Sequence, residues 1–224
     1  IVGKVEAKSE KGKWKANFEA SGEGINAAKL LSEGYAGLVE GILNFNFNGE
    51  YGGSLRGTGR IVSPELTVRG ARLSDVELPI ALDGEKLSLG EGNALLYGGK
   101  LTAGVALWLE GLEWQAKAHA EGVDIEPLLK EVVALEGRVT GKASLDLEAK
   151  GKGADTKNLS GQGKFQAKDG EIADFKAVKA AAAIAGRKSI RYSTAAANFV
   201  IDGVSVYIMP GSHMTAPAGD PLYR

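Results

Sequence analysis

The side chains that most often do chemistry near neutral pH are scarce in this chain: histidine occurs twice and cysteine not at all. Histidine titrates close to neutrality and serves as general acid and base. His119 sits in a run of alternating polarity with Gln115, Lys117 and Glu121, and His213 in a proline-bearing stretch near the end. A solvated or turn role fits both better than catalysis. Without cysteine, disulfides, cysteine-ligated zinc and thiol nucleophiles are excluded. The serines have neither a Gly-x-Ser-x-Gly elbow nor a base beside them, so no enzyme is expected. Gly57-Thr58-Gly59 and Gly161-Gln162-Gly163 lack the third glycine and the following helix of a dinucleotide loop, which leaves close strand packing or a bend in a sheet as their reading. Asp155, Asp169, Glu171 and Asp174 lack the spacing of a calcium loop and read as solvated turns. No catalytic residue, metal or cofactor is therefore expected.

What the sequence does repeat is alternation. Trp14, Ala16, Phe18 and Ala20 interleave with Lys13, Lys15, Asn17, Glu19 and Ser21, and Leu43, Phe45 and Phe47 with Asn44, Asn46 and Asn48. The pattern returns in Leu101, Ala103, Val105, Leu107 and Leu109, in Trp114, Ala116, Ala118 and Ala120, and in Val139, Ala143, Leu145 and Leu147. Period two marks strands with one apolar and one wet face, here antiparallel and half exposed. Breaks at Gly12, Asp83-Gly84, Gly98-Gly99, Gly111, Gly151 to Gly153, Asp169-Gly170 and Asp202-Gly203 read as turns between them. Helix is minor: short pieces are expected near Asn26 to Leu31, from Ile125 to Leu135 with Pro127 in the first turn, and from Phe175 to Gly186. Lys176, Lys179, Arg187 and Lys188 surround the last of these and suit an ordinary docked helix better than one lying on anionic lipid heads.

The 32 glycines are about twice the usual share and need a structural reason. Near-balanced charge, 27 basic against 28 acidic residues, argues against nucleic acid as a partner. The apolar window around Ala180 to Ala185 is far shorter than the roughly 20 residues of a membrane span, so any anchor is expected outside this fragment of a longer protein. Gly24-Ile25-Asn26 with Leu30-Leu31 parallels Gly122-Val123-Asp124 with Leu128-Leu129, and each follows a strand led by tryptophan. Leu55-Arg56-Gly57-Thr58-Gly59 parallels Leu159-Ser160-Gly161-Gln162-Gly163 at a similar offset. Two landmarks in one order suggest a repeat of about 100 residues, 1–110 and 111–210, with 211–224 as a tail or the entry to another strand. The short helices cannot cover so long a sheet, so its apolar face must meet a second sheet, close into a barrel, or meet lipid or protein.

Ala94-Leu95-Leu96-Tyr97-Gly98-Gly99-Lys100-Leu101-Thr102-Ala103-Gly104, then Gly122-Val123-Asp124-Ile125 with Leu128-Leu129, then Leu159-Ser160-Gly161-Gln162-Gly163, then Asp169-Gly170-Glu171-Ile172 form an ordered series. It resembles the AsmA-like C-terminal region, well over residues 55 to 203 and loosely at the flanks. The resemblance implies an all-β fold, a long curved antiparallel repeat sheet forming an open apolar groove. It also implies a periplasmic protein of Gram-negative bacteria, anchored in the inner membrane, that reaches toward an outer-membrane partner and carries phospholipid. On that reading acyl chains contact Trp14, Phe18, Phe45, Phe47, Val105, Leu107, Leu145, Leu147, Phe199 and Ile201. The alternative is a structural or assembly scaffold whose apolar face packs on itself or on other envelope proteins. Pro210 to Pro221 matches nothing in the family pattern, and Gly211-Ser212-His213-Met214 fits a vector-derived remnant as well as a natural turn.

Overall fold

The computed structural model describes residues 1–30, 37–133, 138–184 and 186–220. Its strands are β1 (Val2–Glu10), β2 (Lys13–Asn26), β3 (Val39–Tyr51), β4 (Leu55–Val68), β5 (Ala71–Asp83), β6 (Lys86–Leu96), β7 (Gly99–Trp108), β8 (Glu113–Asp124), β9 (Arg138–Val139), β10 (Lys142–Lys152), β11 (Ser160–Ala173), β12 (Ser189–Asp202), β13 (Ser205–Ile208) and β14 (His213–Thr215). They form one antiparallel sheet in the order β1 to β8, then β10, β11, β12 and β13, with β9 added on β11 and β14 on β12. The sheet neither closes nor doubles back: among the described strands β1 and β13 remain its two ends. The all-β, open-sheet expectation holds.

Register puts the apolar residues of every long strand on one face. Directly opposed residues share a face, and one such rung runs Gly3, Ala20, Phe47, Gly59, Ile80, Leu89, Val105, Ala116, Ala149, Gly161, Ile201 and Val206 without a break. At a strand spacing near 4.8 Å the rung is about 50 Å long along the sheet.

Several glycines inside strands have a common cause. Phe18 lies over Gly49, where a Cβ would fall 2.2 Å from its ring, Phe47 over Gly57 and Gly59, Trp114 over Gly151, and Phe199 over Gly163. Each large side chain thus lies flat on the bare backbone of the next strand, and the Phe18 and Phe47 rings stack at 5.9 Å. The Gly-x-Gly pairs are close-packing devices, as their sequence context suggested.

Caps gather at one end of the sheet. A 3-10 turn (Ala27–Leu30) follows β2, helix α1 (Ile125–Leu128) with a π turn (Leu129–Val133) follows β8, and helix α2 (Lys176–Ile184) follows β11. The chain reverses at the opposite end mainly through tight turns, so the long connections all leave the same end. Two clusters lie beneath the caps: Ala27, Leu43, Leu66 and Val76 in one, and Ile125, Ala143, Ala167 and Tyr192 in the other. Tyr192, 2% exposed, donates its hydroxyl to the Thr140 carbonyl at 2.6 Å and fills the space above Gly141 and Gly170.

The two halves share an irregularity. Between Gly22 and Ile25 of β2 and between Ala120 and Val123 of β8, three steps oppose two on the partner strand. Gly24 (φ +63) and Gly122 (φ +71) supply the left-handed residue that such a bulge needs, each just before a cap.

Some boundaries differ from expectation. Asp169-Gly170 is no hairpin turn: it lies inside β11, with Asp169 at φ 52, because Tyr192 needs a residue without a Cβ beneath it. Gly151 also belongs to a strand, under Trp114, and the turn comes at Gly153 (φ 60). Val139 does not continue into Ala143, since Gly141 at φ 122 splits β9 from β10. Leu109 falls in the turn after β7. In the stretch read as a tail or the entry to another strand, His213 to Thr215 form β14 beside β12. Leu31, Leu135 and Pro221 to Arg224 lie outside the described residues.

Gly163→Ala is expected to cost about 1–3 kcal/mol, because its Cβ would meet Phe199 at 2.4 Å and the Asp146 carbonyl at 2.6 Å. Gly104→Ala, whose Cβ has nothing nearer than 3.4 Å, should change stability by less than about 0.5 kcal/mol. Urea unfolding of both variants measures the contrast.

Candidate functional site

The apolar face carries all the candidate contact residues. Phe18, Phe45, Phe47, Val105, Leu107, Leu145, Leu147, Phe199 and Ile201 are half-buried there, while Trp14 at the start of β2 is 63% exposed. They are not equivalent. Phe45 packs against the first capped cluster, and Leu145 stands opposite Phe165, which packs against the second. Toward the tight-turn end, Phe47, Val105, Leu107, Leu147 and Ile201 have lateral neighbours on adjacent strands, but no described second sheet covers them. The face also includes Leu78, Ile80 and Leu82 of β5 and Leu87 and Leu89 of β6, which were not among the expected contacts. Their alternation with Glu77, Pro79, Ala81 and Asp83 was the available signal; Pro79 in mid-run disguised it, because proline argues against an interior strand.

The opposite face is a ladder of cross-strand charge. Lys117 Nζ lies 2.7 Å from Glu148, Lys142 Nζ 2.8 Å from Asp124, Arg56 Nε 3.0 Å from Asp83 and Arg60 2.5 Å from Glu77. Hydrogen bonding from Lys117 holds the Glu148 carboxyl below the usual carboxylate range. His119 Nδ1 stands 2.6 Å from Asp146 in the same ladder. Thr102 opposes His119 on β7, so Thr102, His119 and Asp146 form a row that superficially suggests a hydrolytic triad. Its parts are wrong for that role: the Thr102 hydroxyl donates to Asn93 at 3.3 Å, and the His119 and Asp146 side chains are both more than half exposed. A depression of about 480 Å³ opens beside them, lined among others by Gly90, Gly104, Gln115 and Lys117. No cluster of three potential metal ligands occurs among the described residues.

One polar constellation escaped the sequence reading. Glu131, in the π turn after α1, accepts hydrogen bonds from the Arg72 guanidinium of β5 at both carboxylate oxygens and from the Tyr97 hydroxyl at 2.7 Å. Tyr97 occupies the turn between β6 and β7 at φ 43, and its oxygen accepts from the Arg72 backbone N–H at 3.2 Å. The Arg72 and Tyr97 hydrogen bonds hold the Glu131 carboxyl below its ordinary value, and the same pairing raises Arg72. These residues are 25 to 59 positions apart, so no local pattern announces them.

Taken together, the fold and its faces define a single-layer β protein that presents an extended apolar surface backed by a charged one. A family model for the AsmA family matches residues 61–205, which is more than half of the chain; the chain belongs to the AsmA family, an envelope-associated family not known for enzymes. No curated protein and no solved structure matches it. Among the described residues no helix is long and apolar enough to cross a membrane.

If the apolar face is uncovered, truncating it should be cheaper than truncating the capped clusters. Leu43→Ala, at a site 6% exposed, is expected to cost about 2–5 kcal/mol, and Leu107→Ala less than about 1.5 kcal/mol. Chemical denaturation of the two variants decides; equal costs would mean that Leu107 lies in a closed core.

Proposed function

We propose that this chain is a segment of a periplasmic protein that conducts phospholipid between the inner and outer membranes of a Gram-negative envelope along its apolar face. The observation that carries the reading is the unbroken apolar rung from Gly3 to Val206, which no described element of the fold covers. One leaflet of hydrocarbon is about 15 Å deep, half of a roughly 30 Å core. A rung of about 50 Å therefore offers apolar contact over several acyl-chain lengths. Each methylene withdrawn from water is worth about 0.8 kcal/mol, so chains bind without any polar recognition. Headgroups remain in solvent, and no bond is made or broken. The work is guidance along Phe18, Phe47, Val105, Leu107, Leu147 and Ile201, with Trp14, Phe45, Leu145 and Phe199 at the borders of the path.

The shared bulges at Gly24 and Gly122 support an internal repeat, 1–110 and 111–210, in which each unit adds width to the same surface.

Photo-crosslinking in cells tests the reading. A crosslinker at Leu107 or Leu145 in the full-length protein is expected to capture phospholipid, while controls at Trp108 and Asp146 on the charged face capture none. Protein adducts alone at Leu107 would sink the conduit and favour a scaffold that binds other envelope proteins.

A further inference from the structure

We infer that the sheet has a built-in flexing line along β6, and that the three-way contact of Glu131 with Arg72 and Tyr97 is the fastener that holds its two flanks together. Single register shifts occur at β2–β3, β3–β4 and β8–β10, whereas β7 with β8, β10 with β11 and β11 with β12 run without one. Around β6 the ladders break repeatedly. Its pairing with β5 shifts between Ser74 and Glu77 and again between Glu77 and Ile80, and its pairing with β7 shifts between Leu89 and Gly92. Gly90 and Glu91 are in register with neither neighbour, although β6 is an interior strand. Pro79, which faces Gly90 at 3.0 Å from where a Cβ would sit, has no N–H to give to either ladder. Asp75 adds a left-handed residue at φ 51 on the same seam.

Packing divides at the same place. The cluster under the first cap draws on β2 to β6, through Ala94, and the cluster under the second draws on α1, β10, β11 and β12. Neither contains a residue of β7 or β8. Between them the charged face contributes the Thr102–Asn93 hydrogen bond and Lys86 over the Trp108 ring at 5.4 Å. Both are modest next to the ion-pair ladder that joins β8 to β10.

One element spans the seam. The segment from α1 through the π turn is rooted in the second cluster by Ile125 and Leu129. It reaches back past β7 and β6, and Glu131 then grips Arg72 on β5 and Tyr97 at the β6–β7 turn. Its backbone rests on the β4–β5 turn, where a Cβ on Gly70 would lie 3.4 Å from the Glu131 carbonyl. A π turn widens the helix by a residue and is a recurrent feature of working segments. Releasing the clasp removes a side-chain bridge that, among the described residues, skips both weakened ladders, and the two capped flanks then swing about β6. This goes beyond the lipid reading and holds whatever the apolar face binds.

Hydrogen exchange on the whole chain, read by mass spectrometry, tests both parts. In the unaltered protein, amides of residues 89–92 should exchange several-fold faster than mid-strand amides of β10 and β11. Glu131→Gln should raise exchange several-fold across residues 71–108 and leave β10 and β11 unchanged. Should that variant not fold, Tyr97→Phe removes the hydroxyl's bonds to Glu131 and to the Arg72 backbone N–H, keeps the ion pair, and should show the same pattern at smaller size. Protection of residues 89–92 equal to β10 would overturn the flexing line. An even rise over all strands, or none, would overturn the fastener.

Discussion

A lone sheet satisfies its backbone hydrogen bonds by pairing, but it has no partner layer against which to bury its side chains, and that constraint shapes the rest of this molecule. A sandwich meets it by stacking a second sheet about 10 Å away. Here the packing is lateral instead: an aromatic or leucine on one strand lies over a glycine on the next, as Phe18 does on Gly49, Leu78 on Gly92 and Phe199 on Gly163. Each such pair removes apolar area from water within the thickness of one layer. The glycines within the strands that lie under these side chains and the aromatic spacing are therefore two sides of one device.

The arrangement is stable only because the ends of the strands differ. Caps at one end enclose small dry clusters, where Ala27, Val76, Ile125 and Tyr192 are almost wholly buried. These clusters fix register, since a slip by one residue would turn every apolar side chain to the charged face. The charged face opposes the same slip: pairs such as Lys117 with Glu148 and Arg56 with Asp83 are directly cross-strand, and a shift would break them. Such exposed pairs contribute little individually. Their larger role is to specify alignment while the other face is left free.

Alternation made the strand faces legible from residues alone. The alternating residues inside the long strands are on the apolar surface, because period two fixes placement along an unbulged run once one member is set, whereas Leu109 falls in a turn. The helical caps were legible too, through Pro127 and the alanine-rich run after Phe175. What was hidden depended on tertiary partners. Asp169-Gly170 carries the composition of a hairpin turn, and only Tyr192, packed above Gly170, makes it a kink inside a strand. Proline argues against an interior strand, yet Pro79 sits in β5 where the neighbouring ladder is already interrupted. The Arg72, Tyr97 and Glu131 contact joins three elements that no periodicity relates.

The same logic explains why alanine dominates the middle of the apolar face. Ala116 and Ala118 stand opposite Ala149 and Leu147 across β8 and β10, flanked by Val105 and Ala103 on β7. In a closed core such a patch would leave voids, each with its own energetic cost, unless large side chains entered from a facing layer. None of the described elements supplies that layer. Larger residues border the patch, with Leu107 and Trp114 toward the tight turns and Leu101 and Leu145 toward the caps. Small side chains flanked by larger ones leave room above a surface that is still apolar. On the proposed reading, that surface meets a thin, flexible hydrocarbon rather than interlocking with a second wall of side chains.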